Sequence, residues 1–333
     1  MPGVPLRIGV VGAGHFGRYH ALKVAASGRA KLSGIADLEV ERAKTLGWEA
    51  GAPDLPFAAL LGASDAVIIA APADAHYALA KSAIQAGKHV LIEKPMAATL
   101  AEAEELGQLA QAQGVVLQVG HLERFSAAFQ AMEGKVVAPL YLEATRIAPF
   151  KPRGTDVSVI LDLMIHDLDL VLALVDSEIE SVDAIGGAVA SQHEDIANAR
   201  LRFRSGAVAS ITASRISPRT ERRMRIFAQD RYLAADFAAR KLTVIHRSGD
   251  EATADAMPIP GVAGFSIEDV SWQDHDSLAA EHAAFIASVV DGAPVLVDAA
   301  VGRRALAAAL EVGRAMRESR ERMMASGLIK STS

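Results

Sequence analysis

Short apolar runs and stretches of helical periodicity alternate through the first 120 residues. The runs at 6–11, 31–36, 66–71, 89–92 and 115–119 are short, continuous and rich in Val, Ile, Leu and Ala; helical spacing fills 16–26, 75–86 and 100–113. Apolar runs separated by helices predict buried parallel strands joined by crossovers, hence a doubly wound α/β sheet of Rossmann type. After Pro139 the period changes to two. Strands are predicted at 140–147, 181–189, 197–203, 207–214, 222–229, 232–237 and 241–246, with Ser205-Gly206 as a tight hairpin turn. This second half reads as an α+β domain with a large, mostly antiparallel open sheet. The expected division is 1–121 and 122–333, with the closing helices at 276–291 and 299–325 free to pack back on the first domain. Residues 249–272 carry Pro258, Pro260, Gly261 and Gly264 and read as a long loop, either a lid or a surface excursion.

One segment interrupts the second pattern. Residues 156–175, DVSVILDLMIHDLDLVLALV, predict a helix that is apolar nearly all round. At 100° per residue Asp162, His166 and Asp169 fall within about 60° of one another, so this single polar stripe should face a cleft. A carboxylate one turn before a histidine can fix the imidazole tautomer and aim its other nitrogen at a reacting group, the arrangement of a general acid/base. The same residues also suit a buried Asp–His pair with no chemical task.

The first strand runs into Gly12-Ala13-Gly14-His15-Phe16-Gly17 at the start of a helix. Gly12 permits the tight turn, Gly14 lets backbone N–H groups approach a pyrophosphate, Gly17 lets helix and strand pack closely, and the helix N-terminus adds positive potential. Asp37 ends the second strand 20 residues after Gly17, where a carboxylate would hold a ribose 2′-hydroxyl. That favours NAD over NADP; Arg42 is the nearby cation that argues the other way. In a doubly wound sheet ligands bind at the carboxyl ends of strands, and there the sequence offers Pro72, His76, Glu93, Lys94, His121 and Arg124. A lysine at that edge can hydrogen-bond a substrate hydroxyl, and it can equally be a solvated charge.

Four strings together, GAGHFG (12–17), AAPADAHY (70–77), EKP (93–95) and the D-x-x-x-H of Asp162 and His166, resemble the oxidoreductases named for glucose-fructose oxidoreductase, inositol dehydrogenase and rhizopine catabolism (Gfo/Idh/MocA). The likeness runs over essentially the whole chain. It implies an NAD-dependent oxidoreductase acting on a CH–OH group, with Lys94 and His166 flanking the reacting carbon and Asp162 supporting the proton chemistry. Either Lys94 or His166 is then the proton acceptor. It also implies a cofactor site of Gly12, Gly14, His15, Phe16, Gly17, Asp37, Pro72, His76, Glu93, Lys94 and His121. Ala71-Pro72-Ala73 stands where the family often has T-P-N, which leaves out any contact made by that Asn side chain.

The strings at 119–125, 152–172, 195–203 and 212–215 are similar to the branch of that family that oxidises the 3-hydroxyl of UDP-N-acetylglucosamine, on the way to the diamino sugar of some lipid A molecules. Lys151 and Arg153, in the loop leading to the polar-striped helix, are the expected diphosphate contacts beside Arg124, Lys94, Asp162 and His166. Arg215, Arg219, Arg222, Arg223 and Arg225 form a second group of cations suited to phosphate or to ion pairs. A free-polyol (inositol) dehydrogenase, an NAD-binding regulator and an NAD-dependent glycosidase remain alternatives.

Composition narrows the context. With 51% hydrophobic and 22% charged residues, 333 residues suffice for two ordinary globular cores. A net charge of -6 disfavours nucleic acid and anionic membrane as partners, and the absence of cysteine removes disulfides, thiol nucleophiles and thiolate metal sites. No metal is expected. The N-terminus lacks a basic region before its apolar run, and no apolar window of 18 residues is free of charge, so a cytoplasmic protein without a membrane span is expected. Val208, Ile211, Leu233 and Val244 suggest a partly apolar open sheet face that makes a homodimer or homotetramer.

Overall fold

The computed structural model describes residues 4–151, 157–247, 257–260, 263–273 and 275–329. By its internal contacts the chain forms two compact units, Met1–Phe125 with Asp276–Leu306, and Ser126–His275 with Ala307–Ser333.

In the first unit the strands are β1 (Leu6–Val11), β2 (Ala30–Ala36), β3 (Ala66–Ile69), β4 (His89–Glu93) and β5 (Leu117–Gly120). They make one parallel sheet in the order β2-β1-β3-β4-β5. The connecting helices are α1 (His15–Ala25), α2 (Val40–Ala50), α3 (Phe57–Ala63), α4 (His76–Gln85) and α5 (Leu100–Gln113). The strand centres are apolar because helices cover both faces: Val10, Ile35, Val67, Ile69, Val90 and Ile92 are fully buried. The order in which strands are added reverses between β1 and β3, and that crevice is where such sheets bind ligands. Beyond β2 the segment around Asp54 adds a single parallel bridge to Ile35, with Leu55 N–H donating to Ile35 O and Ile35 N–H to Pro53 O. At Ile35 the edge of β2 is thereby satisfied without a sixth full strand. Neither α2 nor α3 was expected from the sequence; α5 was, and it opens on a complete capping box between Thr99 and Glu102.

The second unit begins with α6 (Ala127–Met132) and then builds a nine-stranded sheet. Its strands are β6 (Tyr141–Ile147), β7 (Ile179–Gly187), β8 (Ile196–Phe203), β9 (Val208–Ser214), β10 (Glu221–Phe227), β11 (Arg231–Asp236), β12 (Lys241–Arg247), β13 (Met257–Pro258) and β14 (Phe265–Ser271). The order is β13-β14-β12-β11-β10-β6-β9-β8-β7, antiparallel except for β6 beside β9. Two expectations change here. Seven residues of the presumed loop at 249–272 form β14, which pairs with β12 along its length; its Phe265-Ser-Ile-Glu-Asp-Val alternates in burial as a sheet strand should, a signal outweighed in the sequence by the flanking prolines and glycines. The other change concerns the open face. Ile211, Leu233 and Val244 are at most 3% exposed, on the covered face, because period-two alternation aims them with Ala209 and Ala235 into the core; Val208 alone of the four is half-buried.

Residues 156–175 were read as one regular helix. Instead, Ile160–Met164 forms a π-turn, with Ile165 N–H donating to Ile160 O, and the α-helix α7 runs over Ile165–Leu174. Apolar residues surround this segment on all sides, so its periodicity carries no information about a locally wider turn. The remaining helices are α8 (Ser277–Val290), packed in the first unit, and α9 (Ala299–Ala325), within which the division between the units falls.

Candidate active site

The glycine turn is built as its spacing requires. Gly12 has φ +100°, and a Cβ there would lie 2.5 Å from Ala70 O at the end of β3. A Cβ on Gly17 would sit 1.8 Å from Gly12 O, so α1 approaches the turn more closely than any side chain allows. Gly14 is different: a Cβ would meet nothing within 4 Å. Its missing side chain serves open space above the helix N-terminus, which is the room a pyrophosphate needs. His15 and Phe16 are exposed on the first turn of α1, with the His15 ring edge-on to Phe16 and Tyr19 at 5.7 and 4.9 Å.

Asp37 closes this turn from the second strand. Its Oδ2 accepts from Ala13 N–H at 2.6 Å and its Oδ1 from Glu39 N–H at 2.8 Å. Each carboxylate oxygen keeps a free acceptor site for a ribose hydroxyl. Leu38 and Arg42 beside it are exposed.

At the ends of β3 and β4 a second structure holds Lys94 from both flanks. His76 is 1% exposed; its Nδ1 lies 2.7 Å from Pro95 O and its Nε2 2.8 Å from Ala71 O, so it staples the loop after β3 to the turn after β4. Both partners are backbone carbonyl oxygens, which accept. On the other flank Glu93 Oε1 accepts from His20 Nε2 at 2.9 Å, while its Oε2 faces Lys94 N–H at 3.3 Å. Burial alone would push Glu93 up, but His20, Lys94 and His76 outweigh it and hold the carboxyl below its usual range. Lys94 itself is half-buried and Pro72 exposed. His121, 1% exposed, follows β5, and its carbonyl accepts from Arg124 N–H at 3.0 Å.

In the second unit Asp162 lies in the π-turn and His166 one residue into α7, both half-buried, whereas Asp169 is 2% exposed. The three therefore do not share one accessible stripe. Lys151 is exposed, and Arg153 lies outside the described residues. Two buried ion pairs here were not anticipated. Arg146 on β6 makes a two-pronged bond to Asp167 on α7. Arg215 donates to Asp195 Oδ1 at 2.8 Å and to Val157 O at 2.9 Å, so it anchors the stretch just before the π-turn. Burial opposes ionisation of Asp195, yet Arg215, the amides of Val189 and Ala190 and the Ser191 hydroxyl hold its carboxyl well below the ordinary range. Hairpin arithmetic could have found this pair, since β8 and β9 match Ile196 with Ser214 and the next step is Asp195 with Arg215. Arg223 and Arg225 are likewise committed, to Asp236 and Glu143 on neighbouring strands.

The chain matches the oxidoreductase family with an NAD-binding Rossmann fold over residues 6–121, and the GFO/IDH/MocA C-terminal domain over residues 97–233. It is 43% identical, over 93% of its own length and 96% of the relative's, to UDP-N-acetylglucosamine 3-dehydrogenase of Acidithiobacillus ferrooxidans. The chain belongs to the GFO/IDH/MocA oxidoreductase family. A solved structure of that Acidithiobacillus enzyme superposes on this GFO/IDH/MocA oxidoreductase with a TM-score of 0.88 at 42% identity, covering 95% of this chain and 99% of the other. The myo-inositol 2-dehydrogenase of Thermotoga maritima is more distant, 28% identical over 95% of this chain and 97% of its own. The resemblance read from the four motifs is borne out, as is NAD as cofactor, and the open space at Gly14 with the carboxylate of Asp37 fits that cofactor's pyrophosphate and ribose. Among the described residues no helix is long and apolar enough to cross a membrane.

Proposed function

We propose that this oxidoreductase oxidises the 3-hydroxyl of UDP-N-acetylglucosamine. The supporting observation is the likeness to a dehydrogenase of that substrate along nearly the whole length of both chains. Bound NAD supplies the hydride acceptor. In the proposed chemistry the His166 imidazole, oriented by Asp162, takes the hydroxyl proton, and the Lys94 ammonium stabilises the oxyanion that develops on the same oxygen. Gly12, Gly14, Gly17 and Asp37 hold the dinucleotide, helped by His15, Phe16, Pro72, His76, Glu93 and His121. Lys151 and Arg153 meet the diphosphate, and Arg124 is a further substrate contact. The product is a 3-ketone, the natural input for an amination that yields a diamino sugar of lipid A type.

We place the enzyme in the cytoplasm, where NAD and nucleotide sugars are found. It assembles as a homodimer or homotetramer through the open sheet face, where Phe227, 41% exposed, packs against both Tyr141 and Tyr232. Incubation with NAD and a panel of UDP-sugars and polyols, followed at the nicotinamide absorbance, tests the substrate. Turnover of UDP-N-acetylglucosamine alone supports it; turnover of free inositol alone replaces it with the polyol reading. Lys94→Ala and His166→Ala should each abolish turnover and leave NAD binding nearly unchanged. Light scattering on the eluted protein reads the assembly.

A further inference from the structure

Behind the Lys94 turn lies a group of buried ionisable residues that the proposed chemistry does not use. His20 on α1 is 0% exposed, and on α8 Glu281 and His282 are 0% and 4% exposed. His20 bridges two partners. Its Nε2 donates to Glu93, and its Nδ1 lies 2.8 Å from His282 Nε2. The two rings are within 12° of coplanar with centroids 5.0 Å apart, the arrangement of an in-line hydrogen bond between ring edges. The result is a continuous chain: His282, His20, Glu93 and the backbone N–H of Lys94.

Two nearby groups fix its charge. Glu281 has no hydrogen-bonding partner for either oxygen among the described residues; burial and repulsion by Glu93 push it well above the usual carboxylate range, so it holds the proton that Glu93 lacks. Burial and His20 push His282 down to about 3, which leaves it neutral, and Lys23 and Asp276 at its flank act in opposite senses. Of the two carboxyls Glu93 and Glu281, Glu93 is therefore the one held ionised, facing His20, His76 and Lys94.

We infer that His20 and His282 are positioning residues for the reaction, holding the Glu93 carboxylate in one place beneath Lys94. This rests on the role proposed for Lys94. The ligand-type atoms of His20, Glu281 and His282 all lie within 4.8 Å of one another, the spacing of a three-ligand metal site. The pair of nitrogens at 2.8 Å decides between the two. Nitrogens bound at about 2.0–2.1 Å to one tetrahedral ion stand more than about 3 Å apart, whereas 2.8 Å is an ordinary hydrogen bond.

The test compares His20→Leu, which removes both bonds, with His20→Gln, whose amide can still donate to Glu93, and His282→Leu. In the full-length protein, His20→Leu should lower kcat about 10- to 100-fold, as misplaced catalytic groups do, with KM for NAD within about twofold. His20→Gln should recover most of kcat. The pH profile of kcat should move in His20→Leu and stay in place in His20→Gln. A readout without turnover separates this inference from the substrate assignment: after reductive methylation with 13C, the Lys94 signal, assigned by its loss in Lys94→Arg, should titrate at lower pH in His20→Leu because the neighbouring carboxylate has lost its charge. Unchanged kcat and Lys94 titration in a folded His20→Leu protein overturn the inference. So does one equivalent of bound metal in the purified parent that is lost in that variant.

Discussion

The guanidinium of Arg146 grips the carboxylate of Asp167 through two hydrogen bonds of 2.9 Å, both side chains being about 95% buried. It joins β6 to α7, one residue beyond His166, and so sets the rotation of that helix against the sheet. Removing one partner leaves a charge stranded in the core. Asp167→Ala should cost about 3–5 kcal/mol of unfolding free energy, while the double variant Arg146→Met/Asp167→Leu should recover most of it. Urea denaturation of the three proteins measures this.

The three glycines of the cradle should separate stability from binding. Gly17→Ala places a methyl 1.8 Å from Gly12 O and should prevent the first unit from folding normally. Gly14→Ala meets no atom within 4 Å, so its melting temperature should stay within about 1 °C of the parent. Its Kd for NAD should nevertheless rise about tenfold or more, because the methyl occupies the approach to the pyrophosphate. Calorimetry with NAD, next to thermal melts, reads both.

Glu281 should make the protein less stable as the pH rises. Its folded-state pKa is raised, first by burial and then by Glu93. Such a group contributes most below the unfolded value, about 4.3, and that contribution is lost as pH climbs toward the folded value. Glu281→Gln cannot ionise. It should therefore match the parent near pH 4 and exceed it increasingly toward neutrality, in melts taken across that range.

Asp195 has the opposite sign. Its carboxyl is held low, so the pair with Arg215 stabilises fully above about pH 4 and is lost as pH falls below it. Asp195→Asn should be less stable than the parent at neutral pH and should show a flatter acid limb. Because Arg215 also holds Val157, the same variant should raise KM for the sugar more than KM for NAD in steady-state assays.

Long, strongly patterned elements were legible. β1 and α5 lie where periodicity puts them, and the glycine turn leads into α1 as its spacing predicts. The elements that escaped bury little: α3 is seven residues long with only Leu60 buried, and α2 buries only Ala43, Leu46 and Gly47. No stripe that thin stands out of an alanine-rich sequence. Polar partners were harder still. Asp162, His166 and Asp169 share one stripe at 100° per residue, but the π-turn breaks that spacing, and nothing in the pattern marked Asp167, next to the stripe, as the partner of Arg146. His20 and His282 are 262 positions apart and each looks like an ordinary helical residue; only the fold puts one ring against the other.

The π-turn at Ile160–Met164 bears on what mutation can do to this chain. A turn of this kind holds one residue more than the helix around it requires. Deleting a single residue there would let the backbone run on as a continuous α-helix, but it would turn Val157 and Val159 by about 100° relative to His166, against the bonds that Arg215 and Glu194 make to them. Loss of one codon there would set a more regular helix against the anchored position of the chain before it.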